Sequence, residues 1–380
     1  DRLEFVHVHK LAKNFLEGRG LSANIDLRAS EAAYRAAWAE VGKTGELKNV
    51  PQPWDYWQEE IQYVIKGRGL TQFRQYVALD RVGRRYPLNP DQRRMVWDLY
   101  CAYEKHLSRL GKLDMADIFV RAEEELRRRP LDEPYTAIVV DEVQDLSCAM
   151  VRMLHLMVGD RPDGLLLIGD GQQSVYPGGF TLRESGVSVA GRASVLRVNY
   201  RNTAEILEMA QAVVSHDAFS DLDGLEELGQ RDVEVVRHGL VPIRYQASDG
   251  TSHDAAMVSA LLAAARRVDV TLGDVAVLAA RKRTVKHYLD FLRKEGIPAV
   301  PLEEYDGRTQ VAVKVGTFKR AKGLEFKFVF LPRLVDGPGT RWTDESDTAY
   351  RERVELDRRE LFVGMTRARD GLWLGFLNGG

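Results

Sequence analysis

From residue 136 onward the chain is punctuated by short apolar runs, most of them closed by a polar or glycine-bearing turn. They are TAIVV (136–140), GLLLIG (164–169), SVLRV (194–198), DVAVLAA (274–280), VAVKVGT (311–317) and FKFVFLP (326–332). Segments with helical spacing separate them, so the pattern reads as a parallel α/β sheet built from βαβ units. The most constraining stretch is AIVVDEVQDLS, Ala137 to Ser147. Ile138, Val139 and Val140 read as a strand buried on both faces. Val151, Leu154 and Val158 then recur at helical spacing. In open α/β sheets ligands sit beyond the carboxyl ends of the strands, which sets Asp141 and Glu142 side by side at a binding edge. A solvated turn is the plainer reading of an isolated Asp-Glu pair.

Composition narrows the class. The 380 residues are 44% hydrophobic and 29% charged, which leaves room for two or three ordinary domains. A formal charge of −2 shows no overall basic pull toward nucleic acid or membrane, although a local groove can still be basic. Cys101 and Cys148 lie far apart with no CxxC or His/Cys cluster, so neither a disulfide framework nor a structural zinc site is expected, and a reducing cytoplasm is the default. No apolar stretch approaches the roughly 18–20 residues that span a bilayer, and no signal-peptide pattern opens the chain. It begins on Asp1 rather than Met, which suggests a fragment or processed form.

Ahead of residue 136 the texture is helical. In NPDQRRMVWDLYCAYEKHLSRLG, Asn89 is placed to cap, Pro90 suits the first helical position, Met95, Leu99, Tyr103 and Leu107 share a stripe, and Gly111 ends the helix. LDMADIFVRAEEELRRR reads as a second amphipathic helix, and PWDYWQEEIQYV as a third whose Trp54, Tyr56 and Trp57 serve packing. Residues 224–239 read as an exposed connection or edge, and residues 336–355 as a polar loop before the last helix.

Further chemistry recurs at strand and helix ends. GDGQQSVY carries Asp170, Gln172, Gln173, Ser174 and Tyr176; NYRNT carries Asn199, Tyr200 and Arg201, with Thr203 placed to cap the next helix. TFKRAKGLEF carries Thr317, Lys319, Lys322, Gly323 and Glu325, and LFVGMTRAR carries Thr366 and Arg367. Singly each has a bland reading: Tyr176 as a core ring, Arg201 as half of a surface ion pair, Arg367 as a solvated helix residue. Their fixed order is harder to assign to chance.

In that order the chain resembles the UvrD/Rep/PcrA-like superfamily 1 DNA helicases. VVDEVQDLS is similar to the family's Walker B motif, GDGQQSVY to motif III, NYRNT to motif IV, TFKRAKGLEF to motif V and LFVGMTRAR to motif VI; FVHVHKLAKNFL resembles the TFH segment, and LDMADIFVRAEEEL the helix before Walker B. The resemblance implies two RecA-like domains that bind ATP between them, with single-stranded DNA lying across both. It implies Asp141 as the residue holding Mg²⁺ through water, Glu142 as the group that polarises the attacking water, and Gln173 as the γ-phosphate sensor. Arg201 and Arg367 are implied as arginine fingers and Tyr200 as the adenine stack, with Glu325, Gly323 and Asp170 on the nucleotide side. His9, Tyr176, Thr317, Lys319 and Lys322 are implied as single-strand contacts, the generic arrangement being aromatic stacking plus backbone contacts.

There are departures. No GxxxxGK[ST] run is present: in AEVGKTGEL, Gly42-Lys43-Thr44 match, but the first glycine's place is Ala37, within an apparent helix and downstream of His9. The expectation is a chance match, with a P-loop-bearing unit of at least roughly 30 residues upstream if the enzyme is whole. The aromatic that often follows the motif III tyrosine is Gly178 here, Phe180 being a substitute, and the motif V histidine is Lys319. His7 and His9 alternate as on a strand, without a third metal ligand. Between Tyr200 and Thr317 the chain lacks the large helical insertion of the best-known relatives.

The expected fold is therefore α/β with RecA-like parallel sheets. Residues 1–135 are a remnant of the first RecA-like domain plus a helical insertion, 136–198 the rest of that domain, and 199–380 a complete second one. The expected function is an ATP-dependent, 3′-to-5′ single-stranded DNA translocase or helicase using ATP and Mg²⁺, this segment alone being inactive. The alternative is a helicase-like binding or regulatory module without catalysis. The expected partners are single-stranded or 3′-tailed duplex DNA and repair or recombination proteins, with no membrane.

Overall fold

The structure is a computed structural model. It describes residues 3–50, 52–81, 84, 86–159, 161–174, 179–188, 192–220, 226–228, 233–308, 310–342 and 345–377, with backbone alone for 218–220 and 226–228. Helices, in chain order, are α1 (Val8–Gly18), α2 (Leu27–Ala37), α3 (Trp54–Glu59), α4 (Phe73–Val77), α5 (Pro90–Arg109), α6 (Asp117–Arg128), α7 (Cys148–Met157), α8 (Ala204–Val214), α9 (Gly250–Ala265), α10 (Lys282–Lys294) and α11 (Asp347–Met365). Strands are β1 (Ile138–Val140), β2 (Leu165–Leu167), β3 (Val198–Asn199), β4 (Ala218–Ser220), β5 (Glu226–Leu228), β6 (Glu234–Val235), β7 (Ile243–Ala247), β8 (Val275–Ala279), β9 (Ala299–Pro301), β10 (Val313–Thr317), β11 (Phe326–Leu334) and β12 (Ala368–Leu377). The chain divides into two compact units: Asp1–Arg192 with Ser220–Leu225 and Arg341–Glu352, and Ala193–Phe219 with Glu226–Thr340 and Arg353–Gly380.

The first unit has two cores. One is helical: Tyr34 and Ala37 of α2, Trp57 of α3, Ile61, Val64 and Ile65, and Leu99, Tyr103 and Leu107 of α5 pack together. Asn89 caps α5 by accepting the Gln92 N–H at 2.8 Å, Pro90 opens the helix, and Gly111 follows it at φ 61, as the sequence indicates. The expected third helix is α3, continued by a π-helical segment, Glu60–Lys66, that turns Glu60 and Lys66 inward. Lys66 ends among Glu104, Asp114 and Asp117 at 2.6, 2.7 and 2.6 Å. Burial opposes its charge, but the three carboxylates outweigh burial and raise its pKa. The acidic cluster is thus satisfied by an internal ammonium rather than posed for a metal.

The second core sets β1 and β2 side by side, parallel, with Val140 and Val143 packed on residues of α6 and α7. Here the sequence reading needs correction: β1 is not buried on both faces. Val139 and its register partner Leu166 are 65% and 54% exposed. A β-branched run signals a strand but not how many layers cover it. His7 and His9 also do not alternate on a strand, because α1 starts at Val8 with His7 as its N-cap.

The second unit carries a six-stranded sheet in the order β7-β12-β11-β8-β10-β9, every pair parallel. The faces of β8 follow from its two-residue period. Ala276 and Leu278 pack with α8 and α11 side chains such as Ile206, Ala210 and Phe362; Val275, Val277 and Ala279 pack with Met257 and Leu261 of α9 and Tyr288 and Leu292 of α10. This two-faced burial explains the near-continuous apolar runs. SVLRV yields strand only at Val198–Asn199, which pairs in parallel with β6. The expected loop at 336–355 is helical from Asp347 onward, since TAYRERVE continues the helical spacing of the residues after it.

One polar knot lies within this core. The Asp254 carboxylate accepts from Tyr288 Oη at 2.6 Å, Arg333 Nη2 at 2.7 Å, His287 Nε2 at 2.9 Å and His253 Nδ1 at 3.1 Å. His253 Nε2 accepts the Arg333 N–H at 3.1 Å, which leaves the imidazole proton on Nδ1. Burial alone raises Asp254, but these donors outweigh it and hold the carboxyl far below its ordinary value.

Candidate nucleotide site and nucleic-acid contacts

At the carboxyl end of β1 the backbone turns sharply. Asp141 is exposed, and its Oδ1 accepts the Glu142 N–H at 2.9 Å. Glu142 sits in the left-handed region at φ 54, ψ 40, which costs an L-residue about 1–2 kcal/mol. The Val143 N–H, bonded to the Ile168 carbonyl at 3.0 Å, ties this turn to the end of β2. There Asp170 caps the short turn Gly171–Gln173: its Oδ1 accepts the Gln172 N–H at 3.0 Å, and its Oδ2 accepts from Gln173 Nε2, also at 3.0 Å. The sequence placed Asp141, Glu142, Asp170 and Gln173 at strand ends, and the structure brings those ends together on neighbouring parallel strands.

A buried amide from the same DEVQD turn completes the arrangement. Gln144, 8% exposed, donates from Nε2 to Glu142 Oε2 at 2.6 Å and accepts the Asp170 N–H on Oε1 at 3.1 Å. Its spacing within DEVQD was the available signal, but the choice of partners was not.

Gly42-Lys43-Thr44 lies at the end of a helix rather than in a loop after a strand. Gly42 ends a π-helical turn, Trp38–Gly42, that continues α2, and a Cβ there would meet the Trp38 ring at 2.2 Å. The glycine serves that ring.

In the second unit, Tyr200 is 71% exposed, and Arg201 pairs through Nε with Glu325 Oε2 at 2.9 Å. The loop carrying them is stapled by Asn202, whose Nδ2 donates to the Thr366 and Ala368 carbonyls at 3.0 and 2.6 Å. Arg237 donates to the Arg201 carbonyl at 2.5 Å and the Arg369 carbonyl at 3.2 Å. Neither residue was singled out from sequence. Thr203 occupies the N-cap of α8 as expected, but without a side-chain capping bond. Arg367 is 1% exposed and donates to the Val363 carbonyl at 3.0 Å, the Leu324 carbonyl at 3.4 Å and Thr366 Oγ1 at 3.2 Å. The reading of Arg367 as a solvated helix residue is excluded.

The turn after β10 carries the motif V residues. Thr317 Oγ1 accepts the Arg320 N–H at 3.2 Å, Gly323 takes φ 76, and Lys319 pairs with Glu360 at 2.9 Å. Phe318 packs so closely on α11 that a Cβ on Gly364 would lie 2.8 Å from its ring. Lys322 is half-buried in the same turn. In the first unit, His9 lies edge-on to Phe119, with centroids 4.9 Å apart; burial, then the neighbouring His7 charge, lowers its pKa. Tyr176 and Gly178 lie outside the described residues. Phe180 is 9% exposed and packs in the core.

Parallel α/β units with an acidic turn at a strand's carboxyl edge place these polar groups where open α/β sheets bind their ligands. The model of the UvrD/REP helicase N-terminal domain matches residues 8–180, and that of the UvrD-like helicase C-terminal domain matches residues 302–379. The chain belongs to the UvrD-like helicase family. DNA helicase II of Escherichia coli K12 is 28% identical over 141 residues, 31% of this chain and 18% of that protein. ATP-dependent DNA helicase UvrD1 of Mycobacterium tuberculosis H37Rv is 28% identical over 229 residues, 55% of this chain and 28% of that protein. The matched stretches are thus well under two thirds of either relative. Among the described residues no helix is long and apolar enough to cross a membrane.

Proposed function

We propose that the chain is part of an ATP-driven single-stranded DNA translocase or helicase, moving 3′ to 5′, and carries groups that activate the attacking water and sense the γ-phosphate. The observation that carries this reading is the hydrogen-bonded line from Glu142 through Gln144 to Asp170 and Gln173. It joins a base at one strand end to a sensor at the next. Asp141 and Glu142 offer only oxygen donors, which suits a hard cation. Asp141 would hold Mg²⁺ through water, and the ion, when bound, neutralises charge on the phosphates. Glu142 orients the attacking water and takes its proton; Gln173 reads the γ-phosphate. Tyr200, exposed, stacks on adenine, and Gly323 and Glu325 lie toward the nucleotide. Arg201 and Arg367 supply positive charge to the transition state, Arg367 by exchanging its main-chain partners.

Single-stranded DNA, alone or as the 3′ tail of a duplex, lies against Thr317, Lys319 and Lys322, with His9 and Tyr176 on the first unit. Repair or recombination proteins are the partners in view. Each lysine that neutralises a phosphate contributes about 0.7 to the salt slope of single-strand binding, so Lys322→Ala lowers that slope by one such increment.

A second reading is a helicase-like binding module without catalysis. The two readings separate on hydrolysis. The chain by itself turns over ATP negligibly on either; preceded by a P-loop, it gains DNA-stimulated turnover on the first and none on the second. Lys43→Ala changes neither outcome, whereas loss of turnover in that variant would restore Lys43 as a phosphate ligand.

A further inference from the structure

We infer that Gln144 is a positioning residue that aims the Glu142 carboxylate and makes its aim depend on the Asp170–Gln173 turn. The inference rests on Glu142 as the base of the proposed hydrolysis. The amide's orientation is fixed by chemistry. The Asp170 N–H can only donate, so the group 3.1 Å from it is Oε1, and Nε2 is left to face Glu142 Oε2 at 2.6 Å. A side chain that both donates and accepts is required here. Glutamate would set a second carboxylate against Glu142, and an apolar isostere would take the donor from Glu142 Oε2 and the acceptor from the Asp170 N–H.

The backbone is shaped around this amide. A Cβ on Gly169 would lie 2.4 Å from Gln144 Oε1 and 2.8 Å from Val143 Cγ1. Gly169 is therefore the clearance that lets Gln144 reach across from the β1 turn to the β2 turn. Glu142, in its left-handed conformation, has its N–H taken by Asp141 and its carboxylate met by Gln144. A shift of the Gln173 side chain pulls on Asp170 Oδ2, then on the Asp170 backbone, then on Gln144, and so reaches the base. A nucleotide that engages Gln173 thereby adjusts Glu142 without touching it.

Two measurements test this. In the 380-residue chain, Gln144→Leu should speed exchange of the Asp170 amide proton by roughly tenfold or more while amides of α7 keep their protection. An unchanged Asp170 rate overturns the inference whatever the enzyme does. In the P-loop-bearing protein, Gln144→Leu should lower kcat by roughly tenfold or more with KM for ATP nearly constant. Gln144→Glu, which keeps an acceptor for the Asp170 N–H but loses the donor to Glu142 Oε2, should lower kcat in the same way while sparing the Asp170 exchange rate. Gly169→Ala, displacing the amide, should reproduce the Gln144→Leu loss. A purely structural Gln144 would lower stability and leave kcat, read well below the melting midpoint, within a few-fold of the parent, which would contradict the inference. If the parent protein does not hydrolyse ATP at all, the proposed function fails, and the exchange measurement alone decides the hydrogen-bond role.

Discussion

Arg201 Nε lies 2.9 Å from Glu325 Oε2, with the two side chains 40% and 51% exposed. A pair this wet contributes at most about 1 kcal/mol, so stability does not account for it. What it does is hold the arginine beside Tyr200 on a loop that Asn202 and Arg237 already fix. Glu325→Ala should leave the melting temperature within a few degrees of the parent, about the shift expected from the loss of up to 1 kcal/mol. Arg201→Ala should cut turnover of the P-loop-bearing protein by roughly 10³–10⁵ while single-strand affinity without nucleotide holds. Parallel losses in turnover, affinity and melting temperature would mean that packing has been mistaken for chemistry.

Arg367 behaves differently because it is buried. Removing its guanidinium takes a donor from the Leu324 carbonyl and leaves the Val363 carbonyl to Thr366 Oγ1 at 3.2 Å, at a cost of roughly 1–3 kcal/mol. Arg367→Ala should therefore lose stability along with turnover, and Arg367→Lys should recover only part of either, since an ammonium lacks the planar fork. Thermal unfolding of the three proteins, with turnover read well below every midpoint, separates the two losses. A melting temperature equal to the parent's would contradict the buried hydrogen bonds.

Asp254 gives the second unit a pH-dependent term. Its folded-state pKa is depressed by its donors, so its stabilisation is present above the unfolded value of about 3.9 and is lost as pH falls below that value toward the folded one. Asp254→Asn should destabilise by about 3 kcal/mol at pH 7. The gap to the parent should narrow from about pH 5 downward. Denaturant melts at pH 7 and pH 3 decide it; a constant gap would mean that the carboxyl has the same pKa folded and unfolded, so that its donors do not hold it down.

Much of this was legible in the chain. Strands β8, β10 and β11, inside the six-stranded sheet, announce themselves as apolar runs because both faces are covered, whereas the edge strand β7 is mostly exposed and carries no such run; Asn89-Pro90 marks the start of α5 by local chemistry alone. Asp141, Glu142, Asp170 and Gln173 were visible as polar residues at strand ends. What could not be read is which donor meets which acceptor. Gln144 reaches a residue on another strand, Asn202 reaches carbonyls more than a hundred and sixty positions away, and nothing local distinguishes a buried Arg367 from a solvated one. The exposure of Val139 was equally hidden, since it depends on what lies over β1 rather than on β1 itself.

The central claim, that Glu142 drives nucleotide hydrolysis, is tested most directly by single-strand-stimulated ATP turnover of Glu142→Gln in the P-loop-bearing protein. The substitution keeps shape and the hydrogen bond to the Asp141 side chain but removes the proton acceptor. Turnover should fall by roughly 10²–10⁴ with nucleotide binding nearly intact. Turnover within a few-fold of the parent would contradict the account.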